Sequence, residues 1–147
     1  MNKPFILSNL YLKDIPQING WGVFTNDNIL ADTVIELSPI FTYPQKLLTI
    51  AMYMAQGDGV DINDIVLDQY GMHWPAESGE EQTAVMLGYL SIYNHSGNAN
   101  SEFFRDFENR LMGVRTIKDI NVNEQLTVNY GPFWVNNKKD RINIIDF

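Results

Sequence analysis

The chain is predicted to have a β-rich α+β fold made of several small sheets and few short helices. Short runs of β-branched and aromatic residues recur at close spacing, and Gly, Asn and Pro residues that favour turns separate them. Its 147 residues and 45% hydrophobic content suit one domain that buries a core. We therefore expect a single domain over residues 1–147.

The strands are predicted from β-branched, aromatic and leucine residues that turn signals bound on each side. Pro39 is expected to end the strand that begins at residue 33, and Pro75 the strand that begins at residue 70. The first predicted run is compatible with one strand or two. The runs cover residues 5–12, 21–25, 33–37, 65–67, 70–74, 103–104, 111–117 and 126–130.

Two helices are predicted between these strands. One covers residues 43–56, because five apolar side chains recur at helical spacing on one face. The other covers residues 79 to about 88, because Ser78 and Glu81 have the spacing of a capping box. The apolar face of the first helix consists of Leu47, Leu48, Ala51, Met52 and Ala55.

Composition and charge exclude several classes of protein. The net charge of −8 disfavours binding to nucleic acid through its phosphates. The absence of cysteine excludes disulfides, thiolate zinc sites and cysteine nucleophiles, and it fits a reducing compartment. No apolar run is long enough to span a bilayer, and the N-terminus lacks the apolar core of a signal peptide. We expect a soluble, cytoplasmic protein.

Familiar catalytic motifs are also missing. A metal site is not expected, since the two histidines, His73 and His95, lie on either side of a predicted helix and a zinc enzyme needs three well-spaced ligands. There is no Gly-x-Ser-x-Gly elbow of a serine hydrolase. The pair Gly20 and Gly22 lacks the third glycine of a dinucleotide-binding loop.

Three short stretches carry the most information. Residues 93–100, Tyr-Asn-His-Ser-Gly-Asn-Ala-Asn, follow a mostly apolar run and would form a surface turn if taken alone. If they are buried, their amides must be satisfied by hydrogen bonds. The other two stretches are residues 20–24, Gly-Trp-Gly-Val-Phe, and residues 124–131, Glu-Gln-Leu-Thr-Val-Asn-Tyr-Gly.

In this order and at this spacing the three stretches resemble the SET domain, the fold of S-adenosylmethionine-dependent protein lysine methyltransferases. The likeness runs from about Leu10 to Trp134, and the compact chain looks most like the small stand-alone SET proteins of bacteria, phages and large viruses. It implies a β-clip-like SET fold in which the segment holding Asn94 and the C-terminal tail form a pseudoknot. Residues 41–78, approximately, would be a variable insert that shapes the substrate groove.

The resemblance also implies roles for individual residues. Tyr130 stands at the position of the family's catalytic tyrosine. S-adenosylmethionine, released as S-adenosylhomocysteine, is expected to contact Gly20, Trp21, Gly22, Asn94, His95, Tyr130 and Trp134. The lysine channel is expected to be lined by Phe103, Tyr93, Tyr89 and Phe133.

The implied reaction transfers a methyl group from a sulfonium to the ε-amine of a protein lysine. The amine must be neutral, although the ordinary lysine pKa is about 10.4. A narrow apolar channel lowers that pKa by desolvation, and alignment of the two reactants supplies much of the rate. No strong protein base is needed, and Tyr130 would orient the amine and polarise the methyl group through its hydroxyl.

Two other functions remain open at this stage. The chain could be a catalytically silent cofactor-binding or interaction module, or a methyltransferase that acts on another amine, such as a protein N-terminus. The sequence departs from the family's usual motifs without removing a group assigned to catalysis. The departures are Gly97, Ala99, Asn123, Gln125 and Asn129. Asn123 is expected to replace the family's glycine, because asparagine in a turn tolerates a positive φ.

The expected partner is a lysine-bearing protein substrate. An acidic surface attracts a basic protein through long-range steering, which favours a lysine-rich substrate. Neither direct nucleic-acid binding nor membrane binding is expected. The resemblance also admits a homodimer, and it places the protein in the host cytoplasm if the source is viral.

Overall fold

A computed structural model describes residues 2–60, 71–75, 79–132 and 147. The chain forms two compact units. The first unit consists of Met1–Pro39 and Leu87–Phe147, and the second unit is Ile40–Met86. The long strand β4 begins in the first unit and ends in the second. The predicted single domain with an insert at about 41–78 stays a prediction.

In the described part of the first unit, the regular secondary structure is almost entirely strand. Its strand order is β2–β3–β10–β8–β9–β4, with β1 paired to β4 and β7 paired to β10. Most neighbours are antiparallel, whereas β10 runs parallel to both β7 and β8. The strands are β1 (Phe5–Ile6), β2 (Leu10–Ile15), β3 (Gly20–Thr25), β4 (Val34–Pro44), β7 (Asn94–His95), β8 (Ser101–Asp106), β9 (Leu111–Thr116) and β10 (Gln125–Val128).

The core of the first unit comes from the apolar sides of these strands. Burying each such aliphatic side chain contributes roughly 1.5–3 kcal/mol to folding. Strand β10 occupies a central position, because it pairs with β3, β7 and β8. Fully buried core residues are Val23, Ile35, Met112, Val114, Leu126 and Val128.

The two-residue strand β7 brings the three informative stretches together. Asn94 and His95 pair in parallel with Thr127 and Val128 of β10. On its other side, β10 pairs with β3 through Leu126 and Val23. Most of the polar stretch 93–100 is therefore held in the interior of the unit, and only Gly97 and Asn98 are exposed.

Positive backbone angles fall where the sequence indicates turns. Asn123 has a φ of 64°, which confirms that asparagine takes the left-handed conformation in the turn before β10. Asn19 has a φ of 49° and ends the 3₁₀ turn Pro16–Ile18 before β3. Each turn is followed by a strand that contributes to the site, β3 after Asn19 and β10 after Asn123.

The second unit contains the end of β4, the helix α1 (Gln45–Gly57) and strands β5 (Gly71–Pro75) and β6 (Glu81–Met86). Strand β6 pairs on both sides, with β4 and with β5. The helix confirms the prediction over residues 43–56. Its half-buried apolar positions include Leu48, Met52 and Ala55.

Two predicted elements are wrong. The helix expected over residues 79–88 is the strand β6, because Thr83 and Ala84 are buried in a strand with a partner on each edge. Tertiary pairing here overrides a local helix signal. Pro39 does not end β4, since the strand changes partners there, from β9 to β6. A residue without an N–H is tolerated at such a junction.

The other predicted strands are confirmed where they can be compared. The run 5–12 is divided between β1 and β2, and the run 103–104 lies within β8. The predicted strand 65–67 lies outside the described residues, as does Tyr70. No helix in the described ranges is both long and apolar enough to cross a membrane.

Candidate active site

The backbone of β3 lies against the side chain of Asn94. The amide nitrogen Nδ2 of Asn94 donates a hydrogen bond to the carbonyl of Trp21 at 3.0 Å. Gly22 is buried beside it, and a Cβ there would lie 2.6 Å from Ile15 Cδ1 and 3.1 Å from Asn94 Nδ2. A side chain at position 22 would crowd the ends of these side chains, so glycine suits the close approach of backbone to side chain. Gly22 and Asn94, both predicted to contact the cofactor, thus lie side by side.

The two residues before Gly22 are more open. Trp21 keeps 54% of its surface exposed, which is high for an indole. A Cβ on Gly20 would make only ordinary contacts, the nearest at 3.5 Å to Ile18. Packing among the described residues therefore favours glycine at position 22 but not at position 20. Trp21 and Gly20 are accessible for a ligand that lies along β3.

Tyr130 is fixed from two directions. Its hydroxyl donates to the backbone carbonyl of Tyr93 at 2.6 Å, and its backbone N–H donates to Nδ1 of His95 at 3.2 Å. The rings of His95 and Tyr130 lie 5.3 Å apart between centroids. Because Nδ1 accepts a hydrogen bond, the neutral imidazole of His95 carries its proton on Nε2. The predicted catalytic tyrosine and the predicted Asn-His pair are one cluster.

Asn100 joins the end of the polar stretch to β10. Its Nδ2 donates to the carbonyl of Gln125 at 2.8 Å and to Oε1 of Glu124 at 3.0 Å. Its Oδ1 accepts from the N–H of Thr127 at 2.9 Å. The buried amide thus replaces backbone pairing between two segments, and it fixes the direction in which β10 approaches Tyr130.

Glu124 is held as a carboxylate by this arrangement. Burial alone would raise its pKa, but hydrogen bonds from Asn121 and Asn100 and the positive charge of Lys118 outweigh burial and lower it. The Asn121 N–H bond to Oε2 is 2.9 Å long. The turn before β10 is therefore stabilised by a charged acceptor at neutral pH.

Two of the four predicted channel residues lie together. The rings of Tyr93 and Phe103 meet edge to face, with centroids 6.3 Å apart. The neighbouring Phe104 instead covers Gly113, where a Cβ would lie 2.4 Å from the Phe104 ring. Phe103, and not Phe104, is thus the phenylalanine on the Tyr93 side of β8.

A buried carboxylate, Glu36, is bound to the same segment, and the sequence reasoning missed it. Its Oε1 accepts from Ser38 Oγ at 2.7 Å and from the N–H of Tyr89 at 2.8 Å. Its Oε2 accepts from the Tyr93 hydroxyl at 3.0 Å. Tyr89, predicted to line the channel with its ring, takes part here through its backbone. The group consisting of Glu36, Ser38, Tyr89 and Tyr93 is called the Glu36 cluster below.

Burial has a strong effect on both acids of the Glu36 cluster. The pKa of Glu36 is raised, because desolvation outweighs its hydrogen bonds from Ser38, Tyr89, Tyr93 and Leu90. Desolvation also raises the pKa of the Tyr93 hydroxyl, and the negative charge of Glu36 raises it further. The phenol therefore stays protonated and donates to the carboxylate.

Little in the sequence pointed to Glu36. It stands between Ile35 and Leu37 in a strand, where alternation usually places an acid in solvent. The strand is covered on both faces, so all three side chains are buried. Asn100 had a clearer signal, because amides in a buried polar stretch need partners.

The rest of the predicted site lies partly outside the described residues. Phe133 and Trp134 belong to that part, as does the tail segment 133–146 of the predicted pseudoknot. Phe147 is described, and its backbone carbonyl accepts a hydrogen bond from Ser96 Oγ. Within the described ranges, no group of three or more His, Cys, Asp or Glu side chains is arranged to hold a metal ion.

The chain is similar to known proteins of one family. The family model described as SET domain matches residues 20–131. A protein from Schizosaccharomyces pombe, named histone-lysine N-methyltransferase, H3 lysine-37 specific, is 30% identical over 131 residues, which are 89% of this chain and 79% of that protein. A crystal structure of a Plasmodium falciparum protein described as a candidate histone methyltransferase has a TM-score of 0.60 at 21% identity, covering 86% of this chain and 96% of that one. The predicted fold class is confirmed.

Proposed function

Because the chain belongs to the SET domain family, we propose that it is a protein-lysine N-methyltransferase that uses S-adenosylmethionine. The observation that carries this proposal is the position of Tyr130. Its hydroxyl is directed at the Tyr93 carbonyl, and its backbone is held by His95, so the tyrosine is fixed where two predicted motifs meet. Preorganisation of this kind is what an alignment-driven reaction requires.

The residues of β3 and β7 fit the proposed cofactor. A Cβ on Gly22 would crowd the surrounding side chains, Trp21 is half exposed, and the Asn94 side chain of β7 donates a hydrogen bond to the backbone of β3. These groups, with Gly20, His95 and Tyr130, would hold the ligand, and Trp134 would complete the set. When bound, the cofactor would supply a methyl group carried on a sulfonium, and its sulfur would become a neutral sulfide after the transfer.

Tyr130 acts on the amine as an acceptor. Its one hydroxyl proton is donated to the Tyr93 carbonyl, so its oxygen presents lone pairs to an N–H of the incoming lysine. This contact aims the nitrogen lone pair at the methyl carbon. As the new N–C bond forms and the S–C bond breaks, the surplus amine proton passes to water, and no protein base is needed.

The edge-to-face pair of Tyr93 and Phe103 would provide an apolar wall for the lysine chain. Desolvation by such a wall favours the neutral amine over the ammonium. Phe133 would close the same channel. The net charge of −8 supports a basic substrate, because an acidic protein attracts a lysine-rich one through long-range steering.

A methyl-transfer assay tests the proposal. The purified chain is incubated with radiolabelled S-adenosylmethionine and one of two acceptors. One acceptor is histone H3, the substrate named for the fission yeast relative, and the other is a cell lysate. Tyr130→Phe is expected to lower kcat about 100-fold, the scale of a lost alignment. Tyr11→Phe is the matched control, since its hydroxyl makes only a 3.3 Å bond to Asn123.

The outcomes separate the remaining alternatives. Label on lysine, lost in Tyr130→Phe and kept in Tyr11→Phe, supports the proposal. Label on a protein N-terminus instead identifies a different amine acceptor. Tight cofactor binding without transfer to any protein indicates a silent cofactor-binding module, and no binding of cofactor contradicts the proposal altogether.

A further inference from the structure

The Glu36 carboxylate has no role in the reaction described above, yet it is hydrogen-bonded to Tyr93, which contacts Tyr130. Glu36 lies in β4 between β1 and β9, opposite Ile6 and Val114, and it is fully buried. Four donors surround its carboxylate. None of the ion pairs among the described residues includes it. A buried carboxylate without a cationic partner is costly, and hydrogen bonds must compensate for the lost hydration.

The backbone before Tyr93 is shaped around this carboxylate. Gly88 has a φ of +66°, and a Cβ there would lie 2.3 Å from Glu36 Oε1 and 2.4 Å from Ser38 Oγ. The N–H groups of Tyr89 and Leu90 then donate to the carboxylate. The chain from residue 88 to residue 93 is thereby attached at both ends to one side chain.

Two hydrogen bonds in series, both made by Tyr93, connect the same carboxylate to Tyr130. The Tyr93 hydroxyl donates to Glu36 Oε2 at 3.0 Å, and the Tyr93 carbonyl accepts from the Tyr130 hydroxyl at 2.6 Å. The Tyr93 ring also lies edge to face with Phe103. Tyr93 is thus held by Glu36, and it contacts both Tyr130 and the Phe103 ring of the channel wall.

We propose that Glu36 is a positioning residue of the methyl-transfer site, a role that rests on the proposed function. It anchors Tyr93 so that the Tyr93 carbonyl directs the Tyr130 hydroxyl and the Tyr93 ring supports Phe103. The carboxylate does not touch either reactant.

Substitution by glutamine separates this role from general support of the fold. The Tyr89 N–H can only donate, so the amide oxygen of a glutamine must stay at the Oε1 position. The amide nitrogen then faces the Tyr93 hydroxyl and forces that hydroxyl to turn. Glu36→Gln therefore alters the contact to Tyr93. Ser38→Ala removes a different donor from the same carboxylate and leaves the Tyr93 contact intact.

The first experiment compares steady-state kinetics of the full chain with S-adenosylmethionine and histone H3. Glu36→Gln and Tyr93→Phe are each expected to lower kcat about tenfold while the KM for the cofactor changes less than about twofold. Ser38→Ala is expected to keep kcat within about twofold of the wild type. The double variant Glu36→Gln/Tyr93→Phe should be no slower than the slower single variant, because both act through one contact.

The second experiment reports on Tyr130 without requiring turnover. A 3-fluorotyrosine placed at position 130 gives one fluorine resonance, which depends on the direction of its hydroxyl. We expect this resonance to shift in Glu36→Gln and Tyr93→Phe and to stay in place in Ser38→Ala. Tyr93→Phe removes only a hydroxyl, so it tests the coupling even if Glu36→Gln does not fold.

The outcomes distinguish this inference from the proposed function. An active wild type whose kcat falls equally in Ser38→Ala and Glu36→Gln overturns the positioning role but leaves the methyltransferase standing. Additive losses in the double variant overturn it as well. If the wild type transfers no methyl group, the proposed function fails, and an unchanged fluorine resonance in Tyr93→Phe would show separately that Glu36 does not position Tyr130.

Discussion

Two acidic side chains of the first unit, Glu36 and Glu124, each accept hydrogen bonds from several donors, yet their pKa values move in opposite directions. Glu36 is fully buried in a strand, and desolvation outweighs its donors. Glu124 lies half-buried in a turn, where its hydrogen bonds from Asn121 and Asn100 and the charge of Lys118 outweigh desolvation. The number of hydrogen bonds alone therefore does not decide the sign of a pKa shift. The sign depends on whether desolvation exceeds the stabilisation that the hydrogen bonds and nearby charges provide.

Glu124 and Asn100, called the Glu124 cluster below, differ from the Glu36 cluster in the part of the site that they position. Glu124, through Asn100, sets the approach of β10 to the site, whereas Glu36 sets the position of Tyr93. Both are connected to Tyr130: Glu124 through the backbone of β10, and Glu36 through the Tyr93 carbonyl. Breaking each cluster separately tests whether this division is correct.

The largest effect is expected from Gly88→Ala. A left-handed φ of +66° is strained for alanine, and its Cβ would overlap the Glu36 carboxylate, so the free energy of unfolding should fall by about 3 kcal/mol. Urea denaturation measures the change. Gly59→Ala is the matched control, because Gly59 has a φ of +79° but no described atom within 4 Å of the added carbon. Equal losses in both variants would mean that packing on Glu36 is not the cause.

A smaller loss is expected from Asn100→Ala in the Glu124 cluster. The substitution leaves the buried Thr127 N–H and the Gln125 carbonyl without this partner, so unfolding should become easier by about 2 kcal/mol. Asn98→Ala provides the comparison, since among the described residues that exposed amide bonds only to Lys118, and its loss should change stability by less than about 0.5 kcal/mol. Thermal and urea unfolding measure the stability of both variants. Equal losses of stability in the two would disprove the central role of Asn100.

The smallest effect is expected in the pH dependence, and its sign differs between the two acids. The raised pKa of Glu36 means that the folded state binds its proton more tightly than the unfolded chain. Its favourable contribution is therefore complete below the ordinary pKa near 4.5 and is lost as the pH rises through the raised value. The lowered pKa of Glu124 has the opposite consequence: its contribution is present above 4.5 and is lost as the pH falls through the lower value.

These signs are measured as differences from the wild type. The quantity measured is the unfolding free energy of the variant minus that of the wild type. For Glu36→Gln this difference should increase as the pH rises above 4.5, and for Glu124→Gln it should increase as the pH falls below 4.5. Other carboxylates cancel in each difference. Difference curves with the same slope would contradict the contrast between the two clusters.

The parts of the site that could be predicted share a local signal. Gly22, Asn94, His95 and Tyr130 stand in short motifs whose order along the chain indicated the family, and the structure brings them into contact. Asn123 in the turn before β10 could also be predicted, because asparagine tolerates a positive φ. Each of these features depends on a few neighbouring residues.

The parts that could not be predicted depend on distant residues. The strand β6 was mistaken for a helix, because its two partners β4 and β5 are not visible in the local spacing of Ser78 and Glu81. Likewise, the assignment of Phe103 rather than Phe104 to the Tyr93 side follows only from the register of β8 on β9. A shift of one residue along a strand would have exchanged the two rings.

By itself the sequence determined the family, the β-rich class and the residues around which the reaction is organised, because glycine, asparagine and tyrosine are recognisable at fixed places in short motifs. The tertiary structure alone decided that Glu36 is buried and bound to Tyr93. An acid between two apolar residues is compatible with either solvent or interior, and only the elements packed on both faces of its strand exclude water from it.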